Sequence, residues 1–171
     1  RGELWITMKH QGVVRVTVSC ALLGLLAATA PAANLTWNGG VSGDWQDGGS
    51  GWLDGASPAN WNNATPDAAI FDGATTLSPT VNAGGITVGD MVFSNGNYSF
   101  SGGTLTLSSG NMQVGSSLTA TFNQALTGSV GLTKSGPGTL TLVGTNKNYS
   151  GTTTINGGAI QIGGVTNGTM G

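Results

Sequence analysis

Six aspartates, two lysines and four tryptophans are the side chains past residue 33 with the strongest claim to chemistry. Asp44, Asp47 and Asp54 lie in glycine-rich turns, a setting that can offer calcium the several oxygen ligands it wants. Gly39-Gly40-Val41-Ser42-Gly43-Asp44 approaches the glycine–aspartate nonapeptide of calcium-binding β-rolls, but only once. Turn-forming aspartate is the commoner use. Glycoside hydrolysis needs two carboxylates at short range, and a lyase needs carboxylates with a basic residue or calcium. From Ala74 onward the sequence offers only Asp90, Lys134 and Lys147, far apart along the chain. The one histidine, His10, lies near the N-terminus, so no serine or cysteine nucleophile has a base. There is no phosphate loop and no metal-ligand cluster. The residues therefore predict a chain that is not an enzyme, with no cofactor and no metal.

The tryptophans allow two uses. Trp37, Trp45, Trp52 and Trp61 crowd into one glycine- and asparagine-rich stretch, and the chain after it has none. Indole faces stack on sugars, so the cluster could be a platform for surface glycans. Large aromatics also suit the end of a repeat stack, where something must shield the first unit. The choice depends on the elements that follow, and these favour a cap.

Between residues 131 and 164 three short runs alternate. Leu140 and Leu142 oppose Thr139 and Thr141; Thr153 and Ile155 oppose Thr152 and Thr154; Ile160 and Ile162 oppose Gln161. Bounded by Gly, Asn, Ser and Pro, they read as short half-buried strands, none long enough for a helix. The phrase recurs at Gly85-Ile86-Thr87-Val88, Gly103 to Leu107, Gly138 to Leu142 and Gly158 to Ile162. A step of 18 to 20 residues separates the paired copies, and the gap from Gly103 to Gly138 reads as two such steps. That spacing predicts a solenoid, with about three strands per coil. Ile86, Val88, Val92, Phe100, Leu105, Leu107, Met112, Val114, Leu118, Phe122, Leu126 and Val130 are expected to face inward. The outward threonines raise an ice-ordering use, but they are simply good strand residues at uneven spacing.

Composition agrees. Only 7% of residues are charged and 31 are glycine, yet 38% are hydrophobic and fall in periodic runs. A solenoid needs glycine at its corners and apolar residues only on its inner positions. Past residue 33, Lys134 and Lys147 stand against six aspartates, which excludes nucleic acid as a partner.

The run Leu132-Thr133-Lys134-x-Gly136-x-Gly138-Thr-Leu140-Thr-Leu142-x-Gly144-x-Asn146, then Tyr149-x-Gly151-x-Thr-Thr-Ile155-Asn156-x-Gly158, resembles the autotransporter-associated β-strand repeat, also called the passenger-associated transport repeat. The resemblance implies an all-β, right-handed parallel β-helix belonging to a passenger. It also implies export through an outer-membrane translocation barrel elsewhere in the complete protein, on a Gram-negative cell surface. The tryptophan-rich stretch resembles the leader ahead of such repeats.

The expected organisation has three parts. Residues 1–33 are a leader with a secretory signal peptide, whose true start is Met8. Its basic n-region holds Lys9, His10 and Arg15, its apolar run spans Val16 to Ala28, and Ala30-Pro31-Ala32 offers a cleavage site. That run is shorter than the roughly 20 residues of a membrane span. Cys20, the one cysteine, sits too early in it for lipid attachment. Residues 34–73 form the tryptophan-rich cap, and 74–171 form β-helical repeats cut short at Gly171. The function expected is a structural stalk supporting secretion and display. An adhesive or glycan-binding module, and the start of a β-helical polysaccharide-degrading enzyme, are the alternatives.

Overall fold

The computed structural model describes residues 32–40, 43–144 and 146–163. The leader through residue 31, with its expected signal peptide, lies outside the described residues. Eighteen short strands and no helix run through the described chain, so no helix there is long and apolar enough to cross a membrane.

Four coils of three strands make up the regular part. β7 (Ile86–Val88), β8 (Met91–Phe93) and β9 (Tyr98–Gly102) form the first; β10 (Leu105–Leu107), β11 (Asn111–Val114) and β12 (Thr119–Phe122) the second. β13 (Leu126–Gly128), β14 (Leu132–Ser135) and β15 (Thr139–Val143) form the third; β16 (Lys147–Tyr149), β17 (Thr153–Ile155) and β18 (Ala159–Gly163) the fourth. Ahead of them come β1 (Asn34–Trp37), β2 (Asp44–Trp45), β3 (Trp52–Asp54), β4 (Ser57–Ala59), β5 (Ala68–Phe71) and β6 (Thr80–Val81).

Corresponding strands of successive coils pair in parallel, giving three sheets. Their orders are β16-β13-β10-β7, β18-β15-β12-β9-β6-β2 and β17-β14-β11-β8-β5-β1-β3-β4. The coil step varies from Ile86↔Leu105 at its shortest to Met112↔Lys134 at its longest, 19 to 22 residues. Parallel pairing already begins at β1 and β2, which join β5 and β6, and β5 joins β8 in turn. The chain is a parallel β-solenoid.

Alternation sets the facing, as the sequence predicts for most positions. Ile86, Val88, Leu105, Leu107, Met112, Val114, Phe100, Phe122 and Leu126 are all buried. Leu118 and Val130 are half-buried and pack against the core. Val92 is a correction: Met91 and Phe93 take the inward positions of β8, so Val92 between them faces out. Three apolar residues in a row gave periodicity no way to choose the face.

The phrase spacing needs a second correction. The copies at Ile86 and Leu105 stack in the four-stranded sheet, while those at Leu140 and Ile160 stack in the six-stranded one. The gap from Gly103 to Gly138 is therefore not two coil steps. A glycine followed by two inward aliphatics fits any face of the coil, so the phrase does not say which.

Glycines at the corner between β14 and β15, and at its counterpart between β17 and β18, allow the coils to close up. A Cβ on Gly138 would run into the carbonyl oxygens of Gly115 and Leu118, and one on Gly158 into that of Gly138. Gly136 and Gly158 also hold φ of 76° and 66°, the left-handed region that a side chain disfavours.

Candidate functional site: the aromatic end and two buried lysines

The tryptophans sit where the three sheets begin. β1 pairs antiparallel with β3, and β3 with β4, so a hairpin finishes the eight-stranded sheet. Pro58 lies on the outermost strand of that hairpin, where its missing N–H does no harm. Strand alternation turns Trp37 and Trp52 inward, two-residue β2 turns Trp45 inward, and Trp61 follows β4. Their exposures are 5%, 0%, 1% and 1% in the order Trp37, Trp45, Trp52, Trp61.

The rings touch one another and then the first coil. Centroids lie 5.1 Å apart for Trp37–Trp52, 5.0 Å for Trp45–Trp52, 4.8 Å for Trp45–Trp61 and 4.7 Å for Trp52–Trp61. Phe71 takes up the contact with Trp45 at 5.8 Å and stacks on Phe93 at 5.0 Å. Phe100 then stacks on Phe122 at 4.9 Å in the second coil. Edge and tilted pairs of this kind add to the burial of each ring. The Trp37 indole N–H donates to the Gly40 carbonyl and that of Trp61 to the Asn63 side chain. The Trp45 indole N–H has no partner among the described residues.

Asn63 links this end to the coils. Its Oδ1 accepts from the Thr87 amide at 2.8 Å and its Nδ2 donates to the Gly85 carbonyl at 3.3 Å. The amide thus satisfies the backbone edge of β7, first strand of the four-stranded sheet, as a neighbouring strand would.

The aspartates act as turn and terminus partners. Asp47 accepts from the Asn63 amide at 2.8 Å, and buried Asp67 from the Ala33 amide at 2.7 Å. Asp44 and Asp54 are exposed. Asp90 accepts from Ser109 and Asn111 on the next coil. No group of three or more His, Cys, Asp or Glu able to hold a metal occurs among the described residues.

Both lysines point inward, which the sequence reading missed. Lys134 is 0% and Lys147 8% exposed. Lys134 Nζ donates to the carbonyls of Ser135 (2.7 Å), Gly136 (2.8 Å) and Gly157 (3.1 Å). Lys147 Nζ donates to Gln124 (2.7 Å) and Val143 (2.6 Å). Burial pushes both ammoniums below the usual lysine pKa. Past Asp90 the described chain has no carboxylate, and backbone carbonyls accept from both ammoniums. Alternation carried the signal: Leu132 is inward, so Lys134 must be; Tyr149 is inward, so Lys147 must be.

The other motif residues occupy the third and fourth coils. Leu132, Leu140, Leu142 and Tyr149 are buried, and the Tyr149 hydroxyl meets that of Thr153 at 2.7 Å. Gly144 turns the chain with φ of 88°, and the Asn146 carbonyl accepts from the Leu126 amide. Gly151 packs against the Gly131 backbone. Ile155, in register with Lys134, is 53% exposed, and Ile162, in register with Leu142, is 59% exposed. They continue inward columns on the last described coil.

Residues 132–162 match the family described as Passenger-associated-transport-repeat. That unit runs from β14 to β18, five strands rather than one coil of three. The chain is also similar to the Adhesin BmaC autotransporter of Brucella suis biovar 1 (strain 1330), 40% identical over 161 residues. The match covers 85% of this chain and 5% of that protein. No solved structure matches the chain. The chain is a parallel β-solenoid that carries a passenger-associated-transport-repeat across its third and fourth coils.

Proposed function

We propose that this chain is a stalk-forming segment of an exported autotransporter passenger on a Gram-negative cell surface. Its role is mechanical rather than catalytic. The observation that carries the reading is the coil-on-coil parallel ladder joined to the passenger-type repeat. Each added coil extends the stack by about 4.8 Å through backbone hydrogen bonds. Stacking units of this kind can fold progressively from one end, which draws emerging chain outward through a translocation barrel elsewhere in the longer protein and opposes its return. The tryptophan-rich stretch, residues 34–73, serves as the cap, a reading supported by the burial of all four rings.

A second reading, adhesion, draws on the name of the Brucella relative. With the indole faces buried, contact with glycans would fall to the outward strand faces instead.

The test is export of the longer parent protein carrying Leu140→Asp or Thr141→Asp, read by external protease digestion of intact cells. Leu140→Asp is expected to lower the surface-exposed passenger several-fold while Thr141→Asp leaves it unchanged. Equal surface levels would overturn the stalk reading.

A further inference from the structure

Each inward column of the solenoid is apolar at nearly every rung, though side-chain size varies along it. On the six-stranded sheet Tyr98, Ala120, Leu140 and Ile160 form one column and Phe100, Phe122, Leu142 and Ile162 another. Apolar burial is non-directional and discriminates weakly between such rungs, because a slip by a whole coil keeps the inward face inward and exchanges one aliphatic or aromatic contact for another. The repeated Thr-Leu phrase compounds the ambiguity.

Two positions break this pattern. Lys134 occupies the column of Met91, Met112 and Ile155, and Lys147 follows Ile86, Leu105 and Leu126. Both ammoniums have acceptors in another coil's corner. Lys134 takes the Gly157 carbonyl from the corner ahead of β18, and Lys147 takes the Gln124 carbonyl from the corner ahead of β13. A mis-stacked coil would leave a buried charge short of partners, a far larger penalty than an exchanged methyl contact.

We propose that Lys134 and Lys147 are register keys, selecting the one stacking in which the fourth coil docks on the third. Buried polar groups fix register in coiled coils in the same way, at no gain in stability. The keys act at both ends of β15, one at the corner shared with β14 and one at the corner shared with β16. The inference concerns folding alone and stands whether or not the chain is exported.

Cross-linking tests it in the full chain with Cys20→Ser. Thr141 and Gln161 are register partners on adjacent strands, close enough for a disulfide once both are cysteine. Thr121 and Gln161 are two strands apart, beyond disulfide reach unless the fourth coil slips onto the second. After refolding, the lysine chain should cross-link the Thr141→Cys/Gln161→Cys pair and leave the Thr121→Cys/Gln161→Cys pair at background. With Lys134→Met and Lys147→Met together, the second pair should rise several-fold while the coils ahead of the slip stay folded, since Met112 fills the position equivalent to Lys134 and the aliphatic Leu126 that equivalent to Lys147. Background cross-linking in the double variant would overturn the proposal. So would loss of its fold, because the lysines would then be supporting the coils rather than choosing among them.

Discussion

The Asn63 side chain stands in for a strand beside Thr87, accepting its amide proton at 2.8 Å while donating to Gly85. One amide thereby occupies the edge that the four-stranded sheet would otherwise present. Asn63→Asp keeps the acceptor and sets a carboxylate against the Gly85 carbonyl; Asn63→Leu removes both bonds and also the acceptor of the Trp61 indole N–H. Each should cost about 1–3 kcal/mol, the penalty for polar groups left unpaired. Urea midpoints compared with an exposed control, Asn148→Asp, measure it. Equal midpoints would remove Asn63 from the edge.

The tryptophans should differ among themselves. Truncating Trp52 or Trp61 to Ala should cost about 3–5 kcal/mol, with the loss spreading as fraying into the first coil. Trp45→Phe should be milder than Trp61→Phe, because the Trp45 indole N–H has no partner among the described residues whereas that of Trp61 binds Asn63. Emission from the protein carrying Trp5→Phe, which leaves only the four described rings, should be blue-shifted and protected from quenchers. Freely quenched emission from folded protein would return the glycan platform to first place.

Facing predicts a sharp contrast inside one strand. Leu140 is buried and Thr141 half-exposed, so Leu140→Asp should cost at least the roughly 2–5 kcal/mol of a core truncation. Thr141→Asp should shift stability by about 0.5 kcal/mol or less. A denaturant series on the two variants decides it.

Alkaline titration should stabilise the protein over a defined window. The lysine ammoniums have folded-state pKa values below their ordinary 10.5 because burial disfavours the charge. Between the two values the unfolded chain binds more protons, so stability climbs as pH rises through the folded pKa and levels off near 10.5. Tyr98 opposes this above its ordinary 10.0, since burial, with Asp72 adding, holds its proton on in the folded state. The rise should therefore show on the alkaline side, below pH 10. Lys147→Met should flatten it, as unfolding midpoints across that range will report.

Much of this was legible in alternation. Leu140, Leu142 and the Ile86–Val88 run declare their inward faces because polar residues separate them. Met91-Val92-Phe93 does not, and there the larger side chains took the interior. Lys134 and Lys147 were missed for a different reason: charge suggests solvent, and the carbonyls of Ser135, Gly136, Gly157, Gln124 and Val143, brought in by folded corners, make an interior lysine tolerable. The role of Asn63 was out of reach, since its partners lie 22 and 24 residues away and the sheet edge exists only in three dimensions.

From residue 91 to 163 the only formal charges are two inward ammoniums. An approaching ion or polyelectrolyte therefore meets hydroxyls and amides with no fixed charge to grip. Attraction between surface charges fades within about 10 Å at 0.1 M salt, and residues 91–163 have none to lose. A filament of such turns should keep its hydration and its spacing from neighbours unchanged between dilute and saline surroundings.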